Sequence, residues 1–300
     1  MRLWVHTDLD GVFCAVLLSE IEEVDEIRFV DPGTVQAGKI PFNKYDIIAD
    51  LPFDRRCGMW FDHHESSRPS EGRKFNGAWG AKPSAARVIY DWAENPYLDK
   101  FAAALEEVDK IDSGLVPIEQ AREPTGWFLL SNTLEMSPDK KVDDEYRVHV
   151  IELLRKNPDV NAALKDEKVS VRAGLVKEEL AHFAKLMKEN TRMIGKVAYS
   201  DLRKLEGLPR GNNYLIYSLF PEAVTSVRLM PEREQKDMVK LSVGHNIYGK
   251  KKSEFDVGAA MRKIGGGGHK PVGGAGVKLD EAEKIAMGII KEINEFEGSK

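Results

Sequence analysis

The sequence predicts an α/β protein in which a mostly parallel, doubly wound N-terminal sheet is followed by a helical connector and a smaller α/β C-terminal domain. Three observations lead to this prediction. Short apolar runs alternate with helical patterns in the first third of the chain, a long charged stretch with helical periodicity follows, and strand-like runs then return beside a cluster of glycines. Alternating strands and helices are typical of a parallel sheet with helices on both faces. We expect domains over residues 1–140 and 196–300, with the connector over 141–195.

Short apolar runs bounded by turn residues predict four strands in the N-terminal part. They cover residues 3–5, 26–30, 45–49 and 59–61. Helices are predicted at 12–18, 83–92 and 97–108, with Ser84 as a suitable N-terminal cap for the second of them. Farther along, helices are predicted at 142–193, 257–263 and 281–296, and strands at 225–229 and 239–243.

Composition limits the class of protein and its partners. The 300 residues are 42% hydrophobic, and no apolar run approaches the roughly 18 residues of a membrane span, so no membrane partner is expected. Two cysteines, Cys14 and Cys57, do not make a disulfide framework, which predicts a cytoplasmic protein. The net charge of -5 and the pI of about 5.9 argue against long nucleic acid as a partner. They leave room for a short phosphorylated substrate held by local charges.

Carboxylates and imidazoles follow three of the predicted strands at the point where each strand ends. These residues are His6, Asp8, Asp10, Asp50, Asp62, His63 and His64. In an open parallel sheet, ligands bind at the edge formed by the carboxyl ends of the strands. Bringing several carboxylates together there costs free energy through repulsion and desolvation, and divalent cations remove that cost. Mixed Asp and His ligands suit manganese better than calcium, and this many ligands could hold two metals about 3.5–4 Å apart.

Each part of this pattern has a simpler interpretation when it stands alone. Asp8-Leu9-Asp10-Gly11 is typical of a turn, and a single Asp50 is typical of a helix cap. Adjacent histidines also occur in ordinary loops. The joint occurrence of all three elements at strand ends, in order, favours a metal site.

Five segments of the sequence resemble the motifs of the DHH phosphoesterases, a family with RecJ-like, nano-RNase-like and exopolyphosphatase-like members. The triplet Asp62-His63-His64 after an apolar strand is the motif that names the family. The other segments are 6–11, 47–50, 108–114 and the glycine-rich 265–276, which is similar to the signature of the associated C-terminal domain. The resemblance covers both predicted domains.

The resemblance implies a centre of two Mn²⁺ ions between the domains, with Mg²⁺ or Co²⁺ as alternatives. The ligands of one metal would be Asp10, Asp50, His63 and Asp112. The ligands of the other would be His6, Asp8 and the bridging Asp50, and the two metals would activate a hydroxide for attack on phosphorus. His64 would orient the substrate or assist proton transfer, and Asp62 would support the histidines from behind.

The glycine-rich segment is the predicted substrate-binding loop. Its expected contacts are Gly266, Gly267, Gly268, His269 and Lys270. Backbone N–H groups of glycines can approach a phosphate closely because no side chains intervene. His269 would contact the same phosphate, with Lys270 as a second cation.

The fourth motif and the first histidine leave alternatives open. Asp109 and Asp112 both offer a carboxylate, and we prefer Asp112 because Ser113-Gly114 follows it. His6 stands only two residues before Asp8, closer than in many members of the family, so its role is less well defined than that of Asp8.

A phosphate-binding arginine is missing where nuclease-like members carry an Arg-Ser pair. The corresponding region, 242–246, reads Ser-Val-Gly-His-Asn. We interpret His245 as a solvated turn residue, with substitution for the arginine as the alternative.

The predicted function is metal-dependent hydrolysis of a phosphodiester in a short oligonucleotide or dinucleotide. Within the same chemistry, an exopolyphosphatase, a pyrophosphatase-like enzyme or a 3′-phosphatase of bisphosphorylated nucleosides is the alternative. A nucleotide-binding regulator without catalysis is a further alternative, which the complete set of predicted ligands disfavours. A homodimer is expected from the resemblance only.

Overall fold

The computed structural model describes residues 1–299 except 206, 210, 213, 233, 234 and 236. The chain divides into two compact units, Met1–Val116 with Pro124–Val176 and Pro117–Glu123 with Lys177–Lys300. The predicted connector, 141–195, therefore falls partly in each unit. Within the described residues, no helix combines the length and apolar character needed to cross a bilayer.

The strands and helices are numbered in chain order. The strands are β1 Arg2–Val5, β2 Glu26–Phe29, β3 Asp46–Ala49, β4 Met59–Asp62, β5 Gly77–Trp79, β6 Thr191–Ile194, β7 Val197–Asp201, β8 Thr225–Pro231, β9 Met238–His245, β10 Gly267–His269 and β11 Val272–Lys278. The helices are α1 Leu9–Ile21, α2 Pro32–Gln36, α3 Ala85–Ala93, α4 Ala102–Asp112, α5 Ile118–Arg122, α6 Gly126–Asn132, α7 Lys140–Lys156, α8 Val160–Ala163, α9 Glu167–Glu189, α10 Leu215–Leu219, α11 Val257–Lys263 and α12 Ala282–Gly298. Short 3₁₀ helices cover Glu65–Ser67 and Pro96–Phe101.

The first unit contains a five-stranded sheet in the order β2-β1-β3-β4-β5, and every pair is parallel. Helix α1 is buried along most of its length, with Phe13 and Leu17 fully enclosed in the main core. A second core, around Trp4 and Trp60, lies apart from the one that contains α1. The predicted α/β fold with a parallel N-terminal sheet is confirmed.

The second unit contains a six-stranded mixed sheet in the order β10-β11-β9-β8-β7-β6. One core joins alternate residues of its strands, such as Val227 and Val243, to α11 and α12. A separate core contains α10 and part of α9. The smaller α/β domain is thus present, with residues of its strands directed alternately to two sides.

Two local predictions in the second unit are wrong. Residues 191–193, predicted as the end of a helix, belong to β6, which pairs antiparallel with β7. The glycine-rich segment is not wholly a loop, because Gly267–His269 forms β10 and pairs with β11. The strand is short and exposed, and so carries little apolar signal.

Candidate metal centre

Eight predicted residues meet at the carboxyl edge of the parallel sheet or beside it. They form three groups whose potential ligand atoms lie within 4.8 Å of one another: Asp10, His63 and Asp112; His6, Asp8 and Asp50; and Asp50, Asp62, His63 and His64. The loop after β1 supplies His6 and Asp8, the first turn of α1 supplies Asp10, and Asp50 directly follows β3. Asp62 ends β4, His63 and His64 follow it, and Asp112 ends α4. The predicted convergence of these residues is therefore present in the structure.

His63 is at the centre of the first group. Its Nε2 lies 3.3 Å from Asp112 Oδ2, 3.8 Å from Asp10 Oδ2 and 3.9 Å from Asp50 Oδ1. Its Nδ1 lies 3.1 Å from the carbonyl oxygen of Lys82. A carbonyl can only accept, so this bond places the proton on Nδ1 and leaves the lone pair of Nε2 directed at the carboxylates.

Asp50 connects this group to the second one. Its Oδ2 lies 3.5 Å from His6 Nδ1, whereas its Oδ1 is the atom near His63 and lies 3.7 Å from His64 Nδ1. His6 Nδ1 also lies 2.8 Å from Asp8 Oδ2. Asp50 therefore presents one oxygen to each group, as a bridging ligand would.

The backbone at Asp50 is strained as well as buried. Its φ of 56° lies in the left-handed region, which Asp and Asn tolerate better than other residues with a Cβ. The Asp50 N–H donates to the carbonyl oxygen of Phe61 at 3.0 Å, which ties this turn to β4. The conformation aims the carboxylate at the edge of the sheet.

The start of α1 positions Asp8 and Asp10. Asp8 caps the helix by accepting the Gly11 N–H through Oδ1 at 3.0 Å, which leaves Oδ2 beside His6. Asp10 accepts the N–H groups of Ala85 and Ala86 at 2.7 and 2.8 Å, so the first turn of α3 fixes its orientation. A Cβ at Gly11 would lie 2.3 Å from the carbonyl oxygen of His6, so only glycine fits there.

Asp62 supports the two histidines that follow it. Its Oδ1 accepts the His63 N–H at 2.8 Å and lies 2.9 Å from His64 Nδ1. This hydrogen bond is the main reason why the pKa of His64 is raised. His64 is half exposed, and its Nε2 is the ring nitrogen not engaged by Asp62.

The charges at this edge suit divalent cations. Both carboxylate oxygens of Asp50 and the Nε2 of His63 are buried and have no hydrogen-bond partner among the described residues. Burial, followed by repulsion from neighbouring carboxylates, raises the pKa of Asp10 and of Asp50 well above the ordinary range. Carboxylate oxygens and imidazole nitrogens without hydrogen-bond partners are ligand atoms that Mn²⁺ and related ions bind. The residues present therefore fit a metal centre.

Asp109 has a different environment from Asp112, although both lie on α4. The Arg87 guanidinium donates to Asp109 Oδ2 from Nε and Nη2 at 2.9 and 2.7 Å, and the Ser84 hydroxyl donates to Oδ1 at 2.7 Å. Asp109 is absent from all three groups. Its carboxylate is thus neutralised within the fold.

Arg147 is a residue near the site that the sequence did not single out. It lies on α7, is 2% exposed, and donates from Nε to the carbonyl oxygen of Thr7 at 2.8 Å. The bond holds the loop that carries His6 and Asp8. A single basic residue in a charged helix gives no signal of this role.

The predicted substrate-binding residues lie in the second unit. Gly267, Gly268 and His269 form the exposed strand β10, Gly266 precedes it, and Lys270 forms an ion pair with Glu254. The interpretation of His245 as a solvated turn residue is wrong. It ends β9, is 8% exposed, and uses both ring nitrogens, towards Thr225 Oγ1 at 3.0 Å and the Phe255 carbonyl oxygen at 2.9 Å.

Comparisons with solved structures gave matches of very different strength. The chain is similar to PggH, a pGpG-specific phosphodiesterase from Vibrio cholerae, with a TM-score of 0.87 and 28% identity over 98% of this chain and 99% of that one. RecJ from Thermus thermophilus, solved with Mn²⁺, matches with a TM-score of 0.50 and 15% identity over 95% of this chain and 50% of that one, and shows a shared fold. Neither a family model nor a curated protein matches the chain.

Proposed function

Because this chain belongs to the DHH phosphoesterase superfamily, we propose that it is a metal-dependent phosphodiesterase of dinucleotides and other short oligonucleotides. The observation that carries the proposal is the position of Asp50. Its two buried oxygens have no hydrogen-bond partner among the described residues, and each is directed at a different group of Asp and His side chains. Buried carboxylates that the fold does not compensate are costly, and such groups cluster at sites that bind cations or substrates.

We assign the metal ligands from these groups. Asp10, His63 and Asp112 would hold one ion, and His6 and Asp8 would hold the other. Asp50 would serve both, because its Oδ2 lies near His6 Nδ1 and its Oδ1 lies near His63 Nε2. When bound, two divalent cations supply positive charge that lowers the pKa of a water molecule and stabilises the charge at phosphorus. The donor set favours Mn²⁺, with Mg²⁺ and Co²⁺ as alternatives.

His64 is the proposed proton donor or substrate-orienting group. Asp62 holds its Nδ1, so its Nε2 is available to a phosphate oxygen or to the leaving oxygen. The raised pKa keeps the ring protonated to higher pH than usual, which suits hydrogen-bond donation to an anion. Asp62 acts through His63 and His64 and is a positioning residue.

A linear dinucleotide is the first substrate to test. PggH, which matches 98% of this chain with a TM-score of 0.87, is named as a pGpG-specific phosphodiesterase. The acidic balance of the chain, with a net charge of -5, is consistent with a short substrate rather than a long nucleic acid.

Both cysteines are free, and Cys14 is buried, which supports a cytoplasmic location.

One assay series tests this proposal. Protein loaded with Mn²⁺, Mg²⁺ or Co²⁺, and protein in chelator, is incubated with labelled pGpG, polyphosphate and 3′,5′-bisphosphorylated adenosine, and the products are resolved. We expect metal-dependent conversion of pGpG to mononucleotide. Turnover of only one of the other two substrates would replace the proposal with one of its alternatives.

A matched pair of variants tests the ligand assignment. Asp112→Asn removes a proposed ligand, whereas Asp109→Asn removes the acid that Arg87 neutralises, three residues earlier on the same helix. We expect metal uptake and activity to fall in Asp112→Asn and to persist in the folded fraction of Asp109→Asn. The reverse result would exchange their roles.

A further inference from the structure

Arg68 is a basic residue of the loop that directly follows the triplet Asp62-His63-His64. It comes after the short 3₁₀ turn Glu65–Ser67, and its backbone N–H donates to the Glu65 carbonyl oxygen at 3.2 Å. The triplet stands at the carboxyl edge of the parallel sheet, where ligands of such sheets bind. The tight turn therefore keeps Arg68 close to the candidate metal centre.

Trp79 connects Arg68 to His64. It ends β5, opposite Asp62 in the register with β4, so it also lies at the carboxyl edge. Its indole Nε1–H donates to the His64 carbonyl oxygen at 3.1 Å, and Arg68 Cζ lies 5.3 Å from the centre of its ring. Attraction between a guanidinium and an indole restrains the arginine without using a hydrogen-bond acceptor. Two contacts thus join the Arg68 guanidinium to the backbone of the proposed proton donor.

The donors of Arg68 are little used by the fold. Its ionic contact, from Nη1 to Glu65 Oε2, is 3.5 Å long, and the two side chains are 65% and 66% exposed. Charge-assisted hydrogen bonds are about 2.7–2.9 Å long, and exposed ion pairs contribute little to stability. Arg56 and Arg87, in contrast, each hold an Asp carboxylate through two nitrogens. Arg68 can therefore exchange Glu65 for an anion with better geometry.

The proposed reaction indicates which anion this is. Hydrolysis of a dinucleotide to 5′-mononucleotides adds the oxygen of water to phosphorus and breaks the bond from phosphorus to O3′ of the first nucleotide. O3′ leaves with a proton, which His64 is proposed to donate, so the first nucleotide lies on the side of His64. Its 5′-phosphate is a monoester with about -1.5 to -2 charges at pH 7, and arginine binds phosphate through two parallel hydrogen bonds.

We propose that Arg68, restrained by Trp79, binds the terminal 5′-phosphate of the substrate. This site favours dinucleotides that carry the phosphate, such as pGpG, over those that begin with a 5′-hydroxyl, such as GpG. The inference rests on the proposed function in one respect, because the phosphate belongs to the proposed substrate. Binding of a phosphate by Arg68 needs no metal, however, so the two proposals can be tested apart.

The test compares pGpG with GpG, which differ only in the terminal phosphate, in wild type and in Arg68→Met. Methionine keeps much of the apolar packing on Trp79 but removes the charge and the donors. In wild type we expect kcat/KM to be about 10- to 100-fold higher for pGpG, the range that one charge-assisted contact predicts. In Arg68→Met the ratio of the two values should approach one. An equal loss for both substrates would leave the ratio unchanged and overturn the assignment.

Arg73→Met is the matched control. Arg73 belongs to the same loop and also lies over an aromatic ring, with its Cζ 5.1 Å from the centre of the Phe53 ring. It stands shortly before the start of β5, whereas Trp79 is at the end of that strand. The preference for pGpG should persist in Arg73→Met. Equal losses of the preference in the two variants would indicate a general effect of positive charge and would contradict a site at Arg68.

A conservative variant tests the geometry of the contact. Arg68→Lys keeps the positive charge but lacks the planar pair of donors that matches a phosphate. We expect its preference for pGpG to lie between those of wild type and Arg68→Met. A preference in Arg68→Lys as low as in Arg68→Met would exclude a role for the charge itself.

Binding of GMP and guanosine in chelator separates this inference from the proposed function. If no dinucleotide is cleaved, but wild type binds GMP more tightly than guanosine and Arg68→Met loses that difference, the phosphate site stands and the phosphodiesterase proposal fails. If wild type cleaves pGpG and GpG equally, or if Arg68→Met keeps the preference, the phosphate site is wrong and the phosphodiesterase stands. A protein that cleaves neither dinucleotide, and whose GMP binding is the same in Arg68→Met, would overturn both.

Discussion

The two ends of strand β3 carry buried carboxylates with opposite surroundings. Asp46, at its start, is 0% exposed and accepts two hydrogen bonds from the Arg2 guanidinium at 2.7 and 2.8 Å and one from the Asn43 N–H at 2.7 Å. Asp50, directly after its end, is 1% exposed, and its carboxylate has no hydrogen-bond partner among the described residues and lies near other acids. Burial is the same at both ends, so burial by itself does not indicate function.

The difference lies in how the negative charge is compensated. The fold supplies a cation at Asp46, which makes that residue structural. At Asp50 the fold supplies more negative charge and a left-handed backbone, both of which cost stability. A buried carboxylate that the fold does not compensate is a physical reason to expect a bound cation.

The largest expected effect is on catalysis at Asp50. Asp50→Asn keeps the shape and tolerates the positive φ, but removes the charge proposed to bridge two metals. The metals are expected to stabilise the transition state by several kcal/mol, and loss of about 4 kcal/mol corresponds to a roughly thousandfold lower kcat/KM for pGpG. Asp46→Asn is the control, and its folded fraction should keep its activity. Equal activities in the two variants would show that the ends of β3 do not differ in function.

A smaller catalytic effect is expected at Asp62, which contacts the histidines rather than the proposed metals. Asp62→Asn should lower metal affinity or turnover by about 10- to 100-fold, as found for residues that orient ligands. Titration of the variant with Mn²⁺ while activity is followed measures both. A loss as large as that of Asp50→Asn would assign Asp62 a direct role as ligand.

The free energy of unfolding should respond differently to substitutions at the two ends of β3. Asp46→Asn weakens charge-assisted hydrogen bonds to Arg2, and we expect the free energy of unfolding of the first unit to fall by about 2 kcal/mol. Urea unfolding of metal-free protein, followed by the fluorescence of its buried tryptophans, gives the value. Asp50→Asn under the same conditions should be at least as stable as wild type.

The pH dependence of metal-free protein sharpens the contrast. The folded-state pKa values of Asp10 and Asp50 are raised, so these acids stabilise the fold when protonated, and that stability is lost as pH rises from the ordinary carboxyl pKa through the raised one. The raised pKa values of His6 and His64 act in the same direction. In chelator, the melting temperature should therefore fall as pH rises above about 5. Mn²⁺ should reverse the fall, and Asp50→Asn should reduce it.

The smallest effect is expected at Glu94, the other non-glycine residue of the described chain with a positive φ, 45°. Glu94 directly follows α3 and lies in none of the three groups of potential ligands. Glu94→Gly should raise stability by up to about 1 kcal/mol, because glycine has no Cβ to strain there. Activity should not change. A loss of activity would mean that strain at this helix end also serves the site.

Most of the metal centre could be predicted from the sequence because its residues directly follow strands. In a parallel sheet, the carboxyl ends of neighbouring strands lie side by side, so the sequence alone predicts that His6, Asp50 and His63 lie close together. The choice between Asp109 and Asp112 could not be made in this way with certainty. Arg87 on α3 forms an ion pair with Asp109 on α4 and so neutralises its charge. A contact between two helices has no local sequence pattern, so the sequence does not reveal this pair.

The sequence by itself determined the fold class and the strand-end residues of the site, because apolar periodicity and adjacency along the chain are local properties. Only the tertiary structure decided which side chains of β8 and β9 in the second unit lie next to one another. Arg228 and Ser242 meet through the register of β8 and β9, and His245 is buried by contacts with Thr225 and Phe255. Register between antiparallel strands is set by packing across the whole sheet, and for that reason these residues carry no motif.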